Sequence, residues 1–116
     1  MANEAPPISL TVEMERHDGS AVVRCRGRLV AELSGFFHQK ISPLIPGCKH
    51  IVLDFSELDY VDSMGLGTLV RLYVSSKSAG CRLELIHIGK HVRELLGLTH
   101  LLQVFVDIGE KGVKHR

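Results

Sequence analysis

The chain has no tryptophan, and aromatic residues make up only 5% of its 116 positions. Its core must therefore be built from leucine, valine and isoleucine. The 45% hydrophobic content is enough for one domain without disulfides or a structural metal. Cysteine is scarce and unpaired in pattern: Cys25, Cys48 and Cys81 are far apart, and no Cys-x-x-Cys occurs. This reads as buried thiols in a reducing, cytoplasmic compartment. No run approaches the roughly 18 apolar residues of a membrane span. Met1–Pro7 lacks the charged-then-apolar pattern of a secretory leader, so no membrane insertion is expected. An excess of one charge is also missing. Fourteen basic residues face thirteen acidic ones, a formal charge of +1, which argues against nucleic acid as a partner. Arg24, Arg26 and Arg28 alternate with Cys25 and Gly27, which puts them on one side of a strand and reads as a solvated sheet face.

Catalytic and metal-binding signatures are equally thin. His87 and His91 have i, i+4 spacing, but Leu85-Ile86-His87-Ile88-Gly89 reads as a strand ending in a turn, so they are not expected to share a helix face, and no metal is expected. There is no Gly-x-Ser-x-Gly and no cysteine beside a plausible His-Asn set. Gly65-x-Gly67 lacks the rest of a phosphate loop. Asp54, Asp59 and Asp62 flank a strand and a loop, and read as turn and cap residues without the pattern of a hydrolase. No catalytic residue and no cofactor are assigned.

What is present is a regular alternation of element signals. Ile8 to Glu15 alternates apolar and polar, with Ile8, Leu10, Val12 and Met14 on the expected buried side of a strand. Asp18-Gly19 marks a hairpin, and Ala21 to Leu29 returns with Gly27 at a bulge or close approach. Leu33, Phe36, Phe37, Ile41, Leu44 and Ile45 recur at helical spacing, with Pro43 ending or kinking that helix. Ile51–Phe55 suits a central strand. Ser63 to Ala79 reads as a second helix with Leu66, Leu69, Val70, Tyr73 and Val74 inward and Gly80 just past its end. A strand with Leu83 and Leu85, a short helix with Val92, Leu95 and Leu96, and a last edge strand over Val104–Ile108 complete the domain. The expected fold is α/β: one domain over residues 8–108, a mixed, mostly parallel sheet of four or five strands with helices packed against it, between a tail at 1–7 and another at 109–116.

The most informative stretch is Asp62-Ser63-Met64-Gly65-Leu66-Gly67, where a strand system hands over to a helix. Asp or Ser before a helix is a favoured N-cap. Two glycines in the first turn are costly to a helix and make sense where another backbone or a partner comes close. A helix N-terminus also tolerates a phosphate, which would put about −1.5 to −2 charges at a contact surface.

Ile51 to Leu66, IVLDFSELDYVDSMGL, resembles the signature of STAS domains, specifically bacterial anti-sigma factor antagonists. The resemblance runs on through Lys77–Leu83 and His91–Leu96, includes Gly27-x-Leu29 upstream, and covers roughly residues 8 to 108. It implies a chain without catalysis of its own that binds an anti-sigma factor with serine kinase activity. ATP would belong to that partner, which would phosphorylate the serine after the Asp, here Ser63. A metal-dependent serine phosphatase would reverse the step. The implied contact residues are Asp62, Ser63, Met64, Gly65, Leu66 and Gly67, with Arg28 and Val30 upstream. Two positions depart from the family pattern. Gly27-Arg28-Leu29-Val30 stands where the family usually has an acidic pair, and Met64 replaces a second serine. An exposed Met64 beside Leu66 would suit an apolar contact. Two other functions remain: a non-phosphorylated STAS subunit of a larger assembly, such as a lipid-transport ABC complex or a signalling scaffold, and a small-ligand or enzymatic module. A monomer is the expected state.

Overall fold

The computed structural model describes residues 9–101. The expected tails at 1–7 and 109–116, Ile8 and the edge strand over Val104–Ile108 lie outside these residues. Within them the order is β1 (Leu10–His17), β2 (Ser20–Leu29), α1 (Ala31–Ile41), a 3-10 helix (Ser42–Gly47), β3 (His50–Val61), α2 (Ser63–Ser78), β4 (Arg82–Ile86) and α3 (Lys90–Leu98). The strands form one sheet in the order β1-β2-β3-β4, with β1 antiparallel to β2 and the other neighbours parallel.

Local chemistry sets most of these boundaries. Asp18 and Gly19 both have positive φ, 41° and 84°, the primed turn whose twist suits a two-residue hairpin. Gly27 has φ 111°, and a Cβ there would sit 2.3 Å from the Ser9 carbonyl oxygen, so the expected close approach is real. Here β2 and β3 also slip register twice, between Arg24 and Arg26 and between Gly27 and Arg28. Pro43 ends α1 as expected, and the chain continues as the 3-10 turn. Gly80, with φ 74°, closes α2.

The core is aliphatic. Val23, Leu29, Ile41, Ile51, Leu53, Leu69 and Leu72 are fully buried, with Phe37 and Phe55 among them. All three cysteines are free and buried. Burial, followed by the nearby charge of Asp54, pushes the Cys25 thiol up to about 12.

Three expectations needed correction. Ile51–Phe55 is the first part of a longer strand that runs to Val61. Asp59 therefore lies within β3 rather than in a turn, because the register slips let the strand continue past its apolar run. In β1 only Leu10 is buried, and Met14, on the outermost strand, is 38% exposed. The inward stripe of α2 is Gly65, Leu66, Thr68, Leu69, Leu72 and Ser76, whereas Val74 is 56% exposed. Contact between Gly65 and Leu29 sets this rotation: a Cβ on Gly65 would lie 2.3 Å from the Leu29 carbonyl oxygen, so this side of the helix must face β2.

Candidate functional site

Asp62 ends the strand system and begins α2, and its carboxylate works in two directions. The Gly65 N–H donates to Oδ1 at 2.8 Å, capping α2. The Ala31 N–H donates to Oδ2 at 3.0 Å, capping α1 across 31 residues of sequence. The Asp62 N–H in turn donates to the Leu29 carbonyl at 3.2 Å. Val30 is the N-cap residue of α1 but offers no side-chain acceptor, so Asp62 supplies what Val30 cannot. One carboxylate thus pins two helix N-termini together, and its charge meets the positive ends of both helices.

Ser63 is the first residue of α2 and is exposed. Met64 beside it is 57% exposed. Arg28, at the end of β2, is also exposed and pairs in register with Tyr60 of β3. The other site residues point inward. Leu66 is buried in the core rather than presented beside Met64, Val30 is buried, and the space at Gly65 is filled by Leu29. These three position the site instead of offering side chains to a partner. Gly67 differs from Gly65: a Cβ there would meet nothing within 4 Å. An internal close approach therefore accounts for one of the two glycines and leaves the other unexplained.

Sequence reasoning missed the bridge to α1 and the neighbourhood of α3. His91 stacks on Tyr60 with ring centroids 4.6 Å apart, and its Nε2 lies 3.2 Å from the Val61 carbonyl oxygen. The start of α3 is thereby held against the strand end that delivers Ser63. No local pattern signals either contact, because both join residues distant in sequence. His87 and His91 do not share a helix, as expected: His87 follows β4 with φ 56° and lies 3.0 Å, through Nδ1, from Asp54 Oδ1. Among the described residues no cluster of three or more His, Cys, Asp or Glu side chains is placed to hold a metal ion. No helix among them is long and apolar enough to cross a membrane.

Known proteins resemble this chain over most of its length. The anti-sigma F factor antagonist of Paenibacillus polymyxa is 29% identical over 99 residues, covering 84% of this chain and 85% of that protein. An anti-sigma factor antagonist from Mycobacterium paratuberculosis superposes with a TM-score of 0.76 at 25% identity, over 88% of this chain and 87% of the other. The Bacillus cell fate determinant SpoIIAA in its phosphorylated form shares the fold, with a TM-score of 0.66 at 21% identity over 78% of this chain and 85% of its own. The STAS domain model matches residues 11–113, nearly the whole sequence. By that match the chain belongs to the STAS domain family.

Proposed function

We propose that this protein is an anti-sigma factor antagonist whose contact surface is centred on Ser63 and which is switched off by phosphorylation of that residue. The partner is an anti-sigma factor with serine kinase activity, which supplies the ATP, and a serine phosphatase restores the binding form. The observation that carries this reading is the placement of Ser63. Its hydroxyl stands exposed on the first residue of α2, beside the exposed Met64, while the adjacent Asp62 is fully occupied in holding two helix starts.

That arrangement suits a switch. The scaffold under Ser63 is fixed by buried groups, so a modification there changes the surface and leaves the fold intact. Free N–H groups at the helix start tolerate a phosphate locally. Its charge of about −1.5 to −2 would still lie at the centre of a contact that is apolar at Met64. Moving a complex from 99% to 1% bound takes about 5.5 kcal/mol of differential affinity, within reach of a desolvated, unpaired dianion.

Mass spectrometry of the protein from its native cells tests the reading. Phosphate on Ser63 that varies with growth phase or stress is the expected result. Ser63 unmodified under every condition, with stable co-purification of a transporter ATPase or scaffold, would instead identify a constitutive assembly subunit.

A further inference from the structure

The outward side of α2 has a chemistry of its own. Ser63, Gly67, Arg71 and Val74 follow at i, i+4, i+8 and i+11 and so share one face of the helix. Met64 lies on its shoulder. Val74 and Met64 are 56% and 57% exposed. The helix carries Arg71 and Lys77 and no acidic residue. Among the described residues, Arg71 donates to the Thr68 hydroxyl at 3.4 Å and has no carboxylate partner. Arg28, exposed at the end of β2, makes no ion pair among the described residues either. Three other arginines on the strands behave differently: Arg24 and Arg82 lie 3.7 and 4.0 Å from carboxylates, and Arg26 is bonded to Glu57. The nearest carboxylate to Ser63, Asp62, is committed to backbone amides.

Resting on the reading of Ser63 as a contact centre, we infer that the partner's footprint continues along α2 through Arg71 to Val74. The surface it takes is an acidic, apolar-centred segment of the anti-sigma factor, with carboxylates set against Arg71 and Arg28. Charge complementarity selects this occupant. Two exposed apolar side chains flank a position where the helix backbone is uncovered, and the charges that α2 itself carries, Arg71 and Lys77, are both positive. A second copy of this chain fits poorly, since it would bring the same cationic face against itself. The exposed Arg28 then sets specificity: it favours a partner whose matching surface is acidic and disfavours one whose matching surface is cationic.

The experiment uses the full chain against each serine-kinase anti-sigma factor of the same cell, purified singly, with affinity read by calorimetry at two salt concentrations. Arg71→Glu and Val74→Glu should each weaken binding at least about tenfold, and Arg71→Glu should flatten its salt dependence. Leu98→Ala, on an exposed α3 side chain outside the footprint, should change nothing. Thermal melting of every variant should match the wild type, since neither Arg71 nor Val74 is buried. If Ser63→Asp abolishes binding while Arg71→Glu and Val74→Glu bind within about twofold of wild type, the extended footprint is wrong and the switch stands. If no anti-sigma factor binds the wild type, both readings fall.

Discussion

The sheet surface around Asp54 and Glu84 and the outward side of α2 both carry exposed arginines, yet the first has a carboxylate beside each and the second does not. On the strands, alternation turns Arg24, Asp54 and Glu84 away from the core. Asp54, only 7% exposed, accepts from the Ser56 N–H at 2.9 Å and lies 3.0 Å from His87 and 3.7 Å from Arg24. Glu84 is bonded to His50 and lies 4.0 Å from Arg82. On α2, Met64, Val74 and Arg71 have no such partners among the described residues. A surface that satisfies its own charges contributes to the fold. One that leaves apolar groups and a cation unmatched is available to a second molecule. The junction at Asp62 joins the two, because its carboxylate is used entirely within the fold while its neighbour Ser63 is left outside.

The glycine pair gives the sharpest contrast and the largest expected effect. Gly65→Ala forces a methyl group against the Leu29 backbone and should cost about 3 kcal/mol or more in denaturant unfolding. Gly67→Ala has open space and should raise stability by about 0.5–1 kcal/mol while weakening partner binding. Equal effects on stability would erase the distinction between the two positions.

Asp62→Ala removes the cap of two helices at once. With about 0.5–2 kcal/mol for each cap, a loss of about 1–4 kcal/mol is expected, and hydrogen exchange should quicken at the first turns of both α1 and α2. Faster exchange in α2 alone would break the bridge to α1.

Asp54 tests the self-contained face. Burial pushes its carboxyl up, but hydrogen bonds from His87 and from the backbone and hydroxyl of Ser56 outweigh this and hold it below the usual carboxylate value. The stability this adds is complete above the unfolded-chain value of about 3.9 and is lost as pH falls through the lower folded value. Asp54→Asn should therefore be about 1–2 kcal/mol less stable near neutrality and show a shallower loss toward acid. Parallel acid profiles for the two proteins would contradict this. The smallest structural effect belongs to Met64→Ala, which should shift stability by less than about 0.5 kcal/mol yet weaken binding about tenfold or more.

Much of this was legible in the sequence because it is local. Asp18-Gly19 fixed a hairpin, Pro43 ended a helix, and Gly27 marked a close approach. The rest depends on contacts between distant residues. The rotation of α2 was misread because apolar residues surround most of the helix, and both stripes fit a period of 3.6. Only the contact between Gly65 and Leu29 decides between them. The strand was read too short for a similar reason, since its second half is polar and is held by register with β2 rather than by its own pattern. Asp62 was recognised as one cap, and the second cap became visible only when the chain brought Ala31 alongside.

The central claim is that Ser63 controls binding without controlling the fold. Calorimetric titration of the proposed partner, an anti-sigma factor with serine kinase activity, against the unmodified and Ser63-phosphorylated forms tests it most directly. A loss of affinity of at least about a hundredfold on phosphorylation, with the melting temperature unchanged, is the predicted result. Equal affinity of the two forms would contradict it.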